Sequence, residues 1–103
     1  MEIVAETQGD IAILRPKGKI EMMGAPELRE AIQARTSSGF SKIVIDMRSV
    51  TFLDSSGYGV LIEAAHALAE KGGSFRLLGA QNRMKLLLNQ NVTFCETEAE
   101  ALS

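Results

Sequence analysis

The sequence holds one cysteine, one histidine and no excess of positive charge, and each shortage removes a class of function. Cys95 alone cannot form an internal disulfide, and one His with one Cys cannot make a structural zinc site. The balance of 11 basic and 13 acidic residues, formally -2, gives no electrostatic footprint for direct nucleic-acid binding. Arg15, Lys17, Lys19, Arg83 and Lys85 are scattered among acids and do not gather into a phosphate-binding face. There is no apolar run of about 18 residues and no N-terminal signal segment, so membrane insertion is not expected and the cytoplasm is the expected compartment. Internal repeats, low-complexity tracts and Pro/Ser linkers are lacking too.

What is present fits one domain spanning 1–103. The 103 residues are 46% hydrophobic and 23% charged, close to globular proportions. A chain this short buries only about 60–65% of its unfolded surface, which leaves little room for a deep enclosed active site.

The pattern alternates between strands and helices. "EIVAETQGDIAILRPKG" reads as two short strands around Gly9-Asp10, with Ile11 and Ile13 on one face and Ala12 and Leu14 on the other. Pro16 is expected to end or edge the second strand, because it cannot donate to a ladder. "APELREAIQAR" changes period: Pro26 suits a first helical turn, and Leu28, Ala31, Ile32 and Arg35 share a stripe. "KIVIDM" is an apolar run closed by an acid, as in a central strand covered on both faces. A further helix carries Val60, Leu61, Ala64, Ala65 and Leu68, and Lys71-Gly72-Gly73 supplies its stop. "SFRLLGA" is a strand, "QNRMKLLLNQN" a third helix ending at Asn91, and "VTFCE" an edge strand. Thr97 and Glu100 form a capping-box pattern that predicts a last helical turn. Strand–helix–strand order over 42–78 implies right-handed parallel crossovers. The expected fold is therefore α/β: a small mixed, largely parallel sheet of four to five strands with helices packed on it.

The chemistry concentrates in "VTFLDSSGYGVL", residues 50–61. A nucleophile elbow needs glycine two before and two after the serine, and neither Ser55 nor Ser56 has both. His66 lies ten residues beyond Ser56 on the same helix. That is about 15 Å of axial rise, too far for a base. "GYG" lacks the third glycine of a dinucleotide fingerprint, and Ile62 stands in its place. Asp54, Ser55 and Ser56 are all good N-cap types before a helix, but a helix takes one N-cap. Gly57 and Gly59 each cost about 1 kcal/mol against Ala in a helix interior. Close approach by another surface and tight helix–strand packing both account for them, and the sequence leaves the two open. A serine at a helix N-terminus is also well placed to carry a phosphate, since free N–H groups and the helix dipole favour negative charge there. The added charge of about -1.5 to -2 alters the surface without melting the helix.

These residues carry a resemblance. "KIVIDMRSVTFLDSSGYGVL" resembles the signature of the anti-sigma factor antagonist family, single-domain members of the STAS group: an apolar strand ending in Asp, a short loop, then D-S-S-G-x-G-V before a helix. "GKIEMMGAPELREAI" and "GGSFRLLGA" extend the likeness over nearly the whole chain. The resemblance implies a binding module, not an enzyme. In it Ser56 is phosphorylated by an anti-sigma factor that is a GHKL-type serine kinase, and a PP2C-type serine phosphatase resets it. The unphosphorylated form binds the kinase and the phosphorylated form is released. The chain itself then needs no cofactor or metal, since ATP and metal ions belong to the partners. Asp54, Ser55, Gly57, Tyr58 and Gly59 fall on the implied binding surface, and so does the loop Glu21-Met22-Met23. That loop has Glu21 where the family often has Asp, a departure that bears on partner choice. Gln81-Asn82 replaces a common helix-opening proline, and the last helix is short, at about 97–103. The competing reading is a non-switching STAS scaffold in a transporter, lipid-transport or stress-signalling complex.

Overall fold

The computed structural model describes residues 1–103. The chain forms β1 (Glu2–Gln8), β2 (Ile11–Ile20), α1 (Gly24–Ser37), β3 (Lys42–Asp46), β4 (Val50–Leu53), α2 (Ser55–Glu70), β5 (Ser74–Leu78), α3 (Asn82–Leu87), β6 (Thr93–Cys95) and α4 (Glu98–Ala101). β1 pairs antiparallel with β2, and every other pairing is parallel, in the order β1-β2-β3-β5-β6. β4 lies off that path and pairs with the C-terminal part of β2. The sheet is thus mixed and largely parallel as expected, and it counts six strands because β4 is a strand of its own.

Side-chain alternation divides the sheet's two faces. Ala12, Leu14, Ile43, Ile45, Phe75 and Leu77 face α1, α2 and α3 and form the main core with Leu28, Ile32, Leu61, Ala65, Leu68 and Leu88. Ile11, Ile13, Val44, Leu78 and Cys95 face the other way and form a second, smaller cluster with Ala101 of α4, against which Leu102 packs. α4 has only four residues, and two devices hold it. Thr97 and Glu100 close the capping box predicted for them. At the other end Arg76 Nη1 donates to the carbonyls of Glu100, Ala101 and Ser103, at 3.3, 2.9 and 2.8 Å.

An ionic clamp ties the same helix to the sheet. Asp46, 6% exposed at the end of β3, accepts from Arg15 Nη1 at 2.8 Å and from Arg48 Nε at 2.9 Å. Glu98 accepts from Arg15 Nη1 at 2.7 Å and from Arg48 Nη2 at 3.1 Å. Burial raises the Asp46 pKa, but the hydrogen bonds from the Arg48 side chain, the Arg48 amide and Arg15 outweigh it and bring the carboxyl to about 2.

Two local expectations change. β2 runs through Pro16 to Ile20 and does not end there. The proline falls between Leu14, where pairing with β3 stops, and Gly18, where pairing with β4 starts. α3 stops at Leu87, not Asn91. Leu88 leaves helical geometry (φ -109°, ψ 66°) and turns its side chain into the main core, and Asn91 takes a left-handed turn at φ 62°.

Candidate functional site: the turn between β4 and α2

β2 and β4 run in the same direction, with Ile20 opposite Leu53. Their C-terminal ends therefore lie side by side, and the loop after β2 meets the turn after β4. The Asp54 amide donates to the Ile20 carbonyl at 3.2 Å, which extends the pairing by one residue. Asp54 is extended (φ -90°, ψ -177°), and the chain turns into α2 at Ser55.

Among the three N-cap candidates the structure selects Asp54, whose Oδ1 accepts from the Gly57 amide at 3.0 Å. The same oxygen accepts from Ser56 Oγ at 2.5 Å. Oδ2 accepts from the Met22 amide at 3.3 Å. One carboxylate thus joins the helix cap, the candidate serine and the 21–23 loop. The Ser56 hydroxyl, followed by the Gly57 amide, holds the Asp54 carboxyl below the usual carboxylate range.

Ser55 and Ser56 are both exposed in the first turn of α2. Their glycine neighbours differ. Gly57 is buried, and a Cβ there would overlap Leu53 Cδ1 and lie 3.0 Å from both Ile20 Cγ2 and the Ile20 carbonyl oxygen. A Cβ at Gly59 would meet nothing within 4 Å. Tight helix–strand packing explains Gly57, and Gly59 leaves an open stretch of surface. Tyr58, on the same turn, is half-buried and packs against the main core.

The 21–23 loop completes the surface. Glu21 is half-buried, with its carbonyl accepting from the Gly24 amide at 2.8 Å. Met22 has φ 46°, a left-handed conformation that costs a residue with a Cβ about 1–2 kcal/mol. Met22 and Met23 are 77% and 74% exposed. The Met22–Asp54 contact therefore brings the 21–23 loop against the turn, where Ser55, Ser56, Gly59, Met22 and Met23 are exposed, Glu21 and Tyr58 are half-buried, and Gly57 is buried beneath them. Sequence reasoning missed the Ile20 carbonyl and the Met22 amide, which anchor Asp54. Both are backbone groups, and no side-chain pattern reports them.

The hydroxyl–carboxylate pair has no imidazole beside it. His66 is exposed on α2, with Nε2 2.6 Å from Glu70 Oε1. No group of three or more His, Cys, Asp or Glu is arranged to hold a metal ion, and no helix is long and apolar enough to cross a membrane. Two clefts lie elsewhere, one between α1 and α2 around Ile32 and Ala64, the other beside α3 around Ile62 and Leu87. The turn is an outward-facing surface, better suited to a protein than to a small molecule.

Comparison with known proteins agrees with the fold. The STAS domain family matches residues 2–98. The anti-sigma-B factor antagonist of Staphylococcus aureus is 24% identical over 84 residues, covering 82% of this chain and 78% of its own. A crystal structure of an anti-sigma factor antagonist from Mycobacterium paratuberculosis superposes with a TM-score of 0.84 at 27% identity, covering 98% of this chain and 90% of that one. The Bacillus cell fate determinant SpoIIAA, solved in its phosphorylated form, shares the fold with a TM-score of 0.79 at 21% identity, covering 98% and 96% of the two chains.

Proposed function

The chain belongs to the STAS domain family, and from that premise we propose that it is an anti-sigma factor antagonist switched by phosphorylation of Ser56. The unmodified protein binds an anti-sigma factor of the GHKL serine-kinase type through Glu21, Met22, Met23 and the turn Asp54–Gly59. The kinase brings its own ATP and metal, and transfers a phosphoryl group to Ser56. A PP2C-type serine phosphatase returns the protein to its binding form. The proposed setting is the cytoplasm.

One observation carries this reading: an exposed hydroxyl in the first turn of α2, hydrogen-bonded to Asp54 on a surface shared with two exposed methionines. The helix N-terminus tolerates a phosphate, so the fold survives the modification. The dianion adds about -1.5 to -2 charge where Asp54 already stands, and a partner fitted to the unphosphorylated surface meets a different one. The antagonists from Staphylococcus and Mycobacterium support the choice of function within a family that serves several.

The test is binding of the anti-sigma factor kinase by calorimetry, with phosphate uptake followed by mass. Ser56→Ala takes up no phosphate and keeps its affinity. Ser56→Asp binds at least about tenfold more weakly, or about 1.4 kcal/mol. Undiminished binding by Ser56→Asp would make the protein a constitutive scaffold and end the switch reading.

A further inference from the structure

We propose that Asp54 is a relay, carrying the state of Ser56 to the 21–23 loop so that phosphorylation releases Met22 and Met23 from their binding conformation. This rests on the Ser56 switch and says how it acts. Three contacts meet on one carboxylate: Ser56 Oγ and the Gly57 amide on Oδ1, at 2.5 and 3.0 Å, and the Met22 amide on Oδ2 at 3.3 Å.

Phosphoryl transfer changes the first contact from attraction to repulsion. A bond forms between Ser56 Oγ and the γ-phosphorus of the kinase's nucleoside triphosphate, and the bond from that phosphorus to the β–γ bridging oxygen breaks. The nucleoside diphosphate leaves, and the hydroxyl proton passes to solvent. Oγ then has no proton to donate, and a dianion stands beside the carboxylate it used to bond. Both anions compete for the amides at the start of α2, where Gly57 N–H is already committed to Asp54. None of the chain's ion pairs includes Asp54, so no cation holds the carboxylate in place.

When Asp54 turns away, the Met22 amide loses its acceptor. Met22 sits in the left-handed region at φ 46°, so nothing intrinsic to the residue keeps it there. The loop relaxes and takes the two exposed methionine side chains with it. A mechanism of this kind weakens binding whatever the charge of the partner's surface. Coulomb repulsion alone would need an acidic partner.

The experiment uses the full chain with phosphoserine installed at position 56 during translation, read by amide and methionine-methyl NMR. The Met22 amide is expected to exchange at least threefold faster than in the unmodified protein, and the Met22 and Met23 methyl signals to shift. Unmodified Asp54→Ala should reproduce that loop signature without phosphate. The relay is overturned if phosphoserine in the unsubstituted protein moves residues 55–59 while Met22 keeps its unmodified shift and exchange rate. The switch would survive that result. It fails separately if phosphoserine at 56 leaves binding of the anti-sigma factor kinase unchanged.

Discussion

Adding one methyl group at Gly57 and one at Gly59 should move stability in opposite directions, although the two glycines share a turn of helix. At 57 the new Cβ overlaps Leu53 Cδ1 and sits 3.0 Å from the Ile20 side chain and carbonyl. That carbonyl cannot retreat freely, because it accepts the Asp54 amide at 3.2 Å. Ile20 is fully buried and Leu53 nearly so, which leaves Leu53 to change rotamer inside a packed core. Overpacking of this kind costs about 1–3 kcal/mol. The helix preference for Ala over Gly returns at most about 1 kcal/mol, and less in a first turn. Gly57→Ala is therefore expected to lose about 1–2 kcal/mol. Gly59→Ala meets nothing within 4 Å and should gain up to about 1 kcal/mol.

The two variants should differ by about 1–3 kcal/mol, or roughly 5–20 °C in Tm at this chain length. Urea denaturation followed by circular dichroism measures the difference, with an unchanged m-value as the sign that only stability moved. A Gly57→Ala protein as stable as the parent would show that α2 does not need its close approach to β2 and β4. If Gly59→Ala were destabilised alongside it, both glycines would be serving the same packing and the open surface at 59 would be lost as an argument. The Gly59 variant also tests function: a better-folded protein that binds its partner less well would place that methyl in the interface.

Asp46 bears on acid stability. Its carboxyl is depressed to about 2 in the fold, against an ordinary value of 3.8, so it contributes about 2 kcal/mol that is present above about pH 4 and disappears as pH falls toward 2. Asp46→Asn should lower stability at neutral pH and flatten the acid limb of the unfolding profile, and an unaltered limb would show that the clamp is not responsible. Met22→Gly relieves a left-handed residue and should raise stability by about 0.5–1 kcal/mol while weakening partner binding; a loss of stability would contradict the strain assigned to Met22. Thr97→Ala removes the cap of α4 at a cost of about 1 kcal/mol. Because α4 covers Cys95, a thiol reagent should label that cysteine about fivefold faster in the variant, and unchanged labelling would mean that α4 does not guard it.

Where the sequence spoke through period or chemistry of its own, it was legible. Alternation placed Ile11 and Ile13 on one face and Ala12 and Leu14 on the other, and the Thr97–Glu100 spacing announced the capping box. It was silent where tertiary partners decide. Three good N-cap residues in a row cannot be ranked by type, and Asp54 takes the role because of where the Gly57 amide falls. The leucine run 86–88 reads as unbroken helix, yet Leu88 leaves the helix to enter the core while Leu86 and Leu87 stay 79% and 58% exposed. β4 is four residues long, buried only at its two ends, and alternation has little to work with over that length.

That short strand is also what makes the site. Glu21-Met22-Met23 and Asp54–Gly59 are some thirty residues apart and belong to different crossovers, so local pattern cannot bring them together. β2 is long enough to pair with β3 over Ile11–Leu14 and then, past the irregularity at Gly18-Lys19, with β4 up to Ile20. Because β2 and β4 are parallel and end in register, the loops leaving them emerge at the same edge, as at other carboxyl ends of parallel strands where α/β folds place their sites. Leu53 and Ile20 fix that edge from inside the core, and Gly57 lets α2 start directly against it. Outside this seam, the groups in direct contact with Ser56 and its partner are the Asp54 carboxylate and, through it, the Met22 amide. On the proposed reading, a phosphate at Ser56 would therefore act at the Asp54 carboxylate and the 21–23 loop before it reached the core.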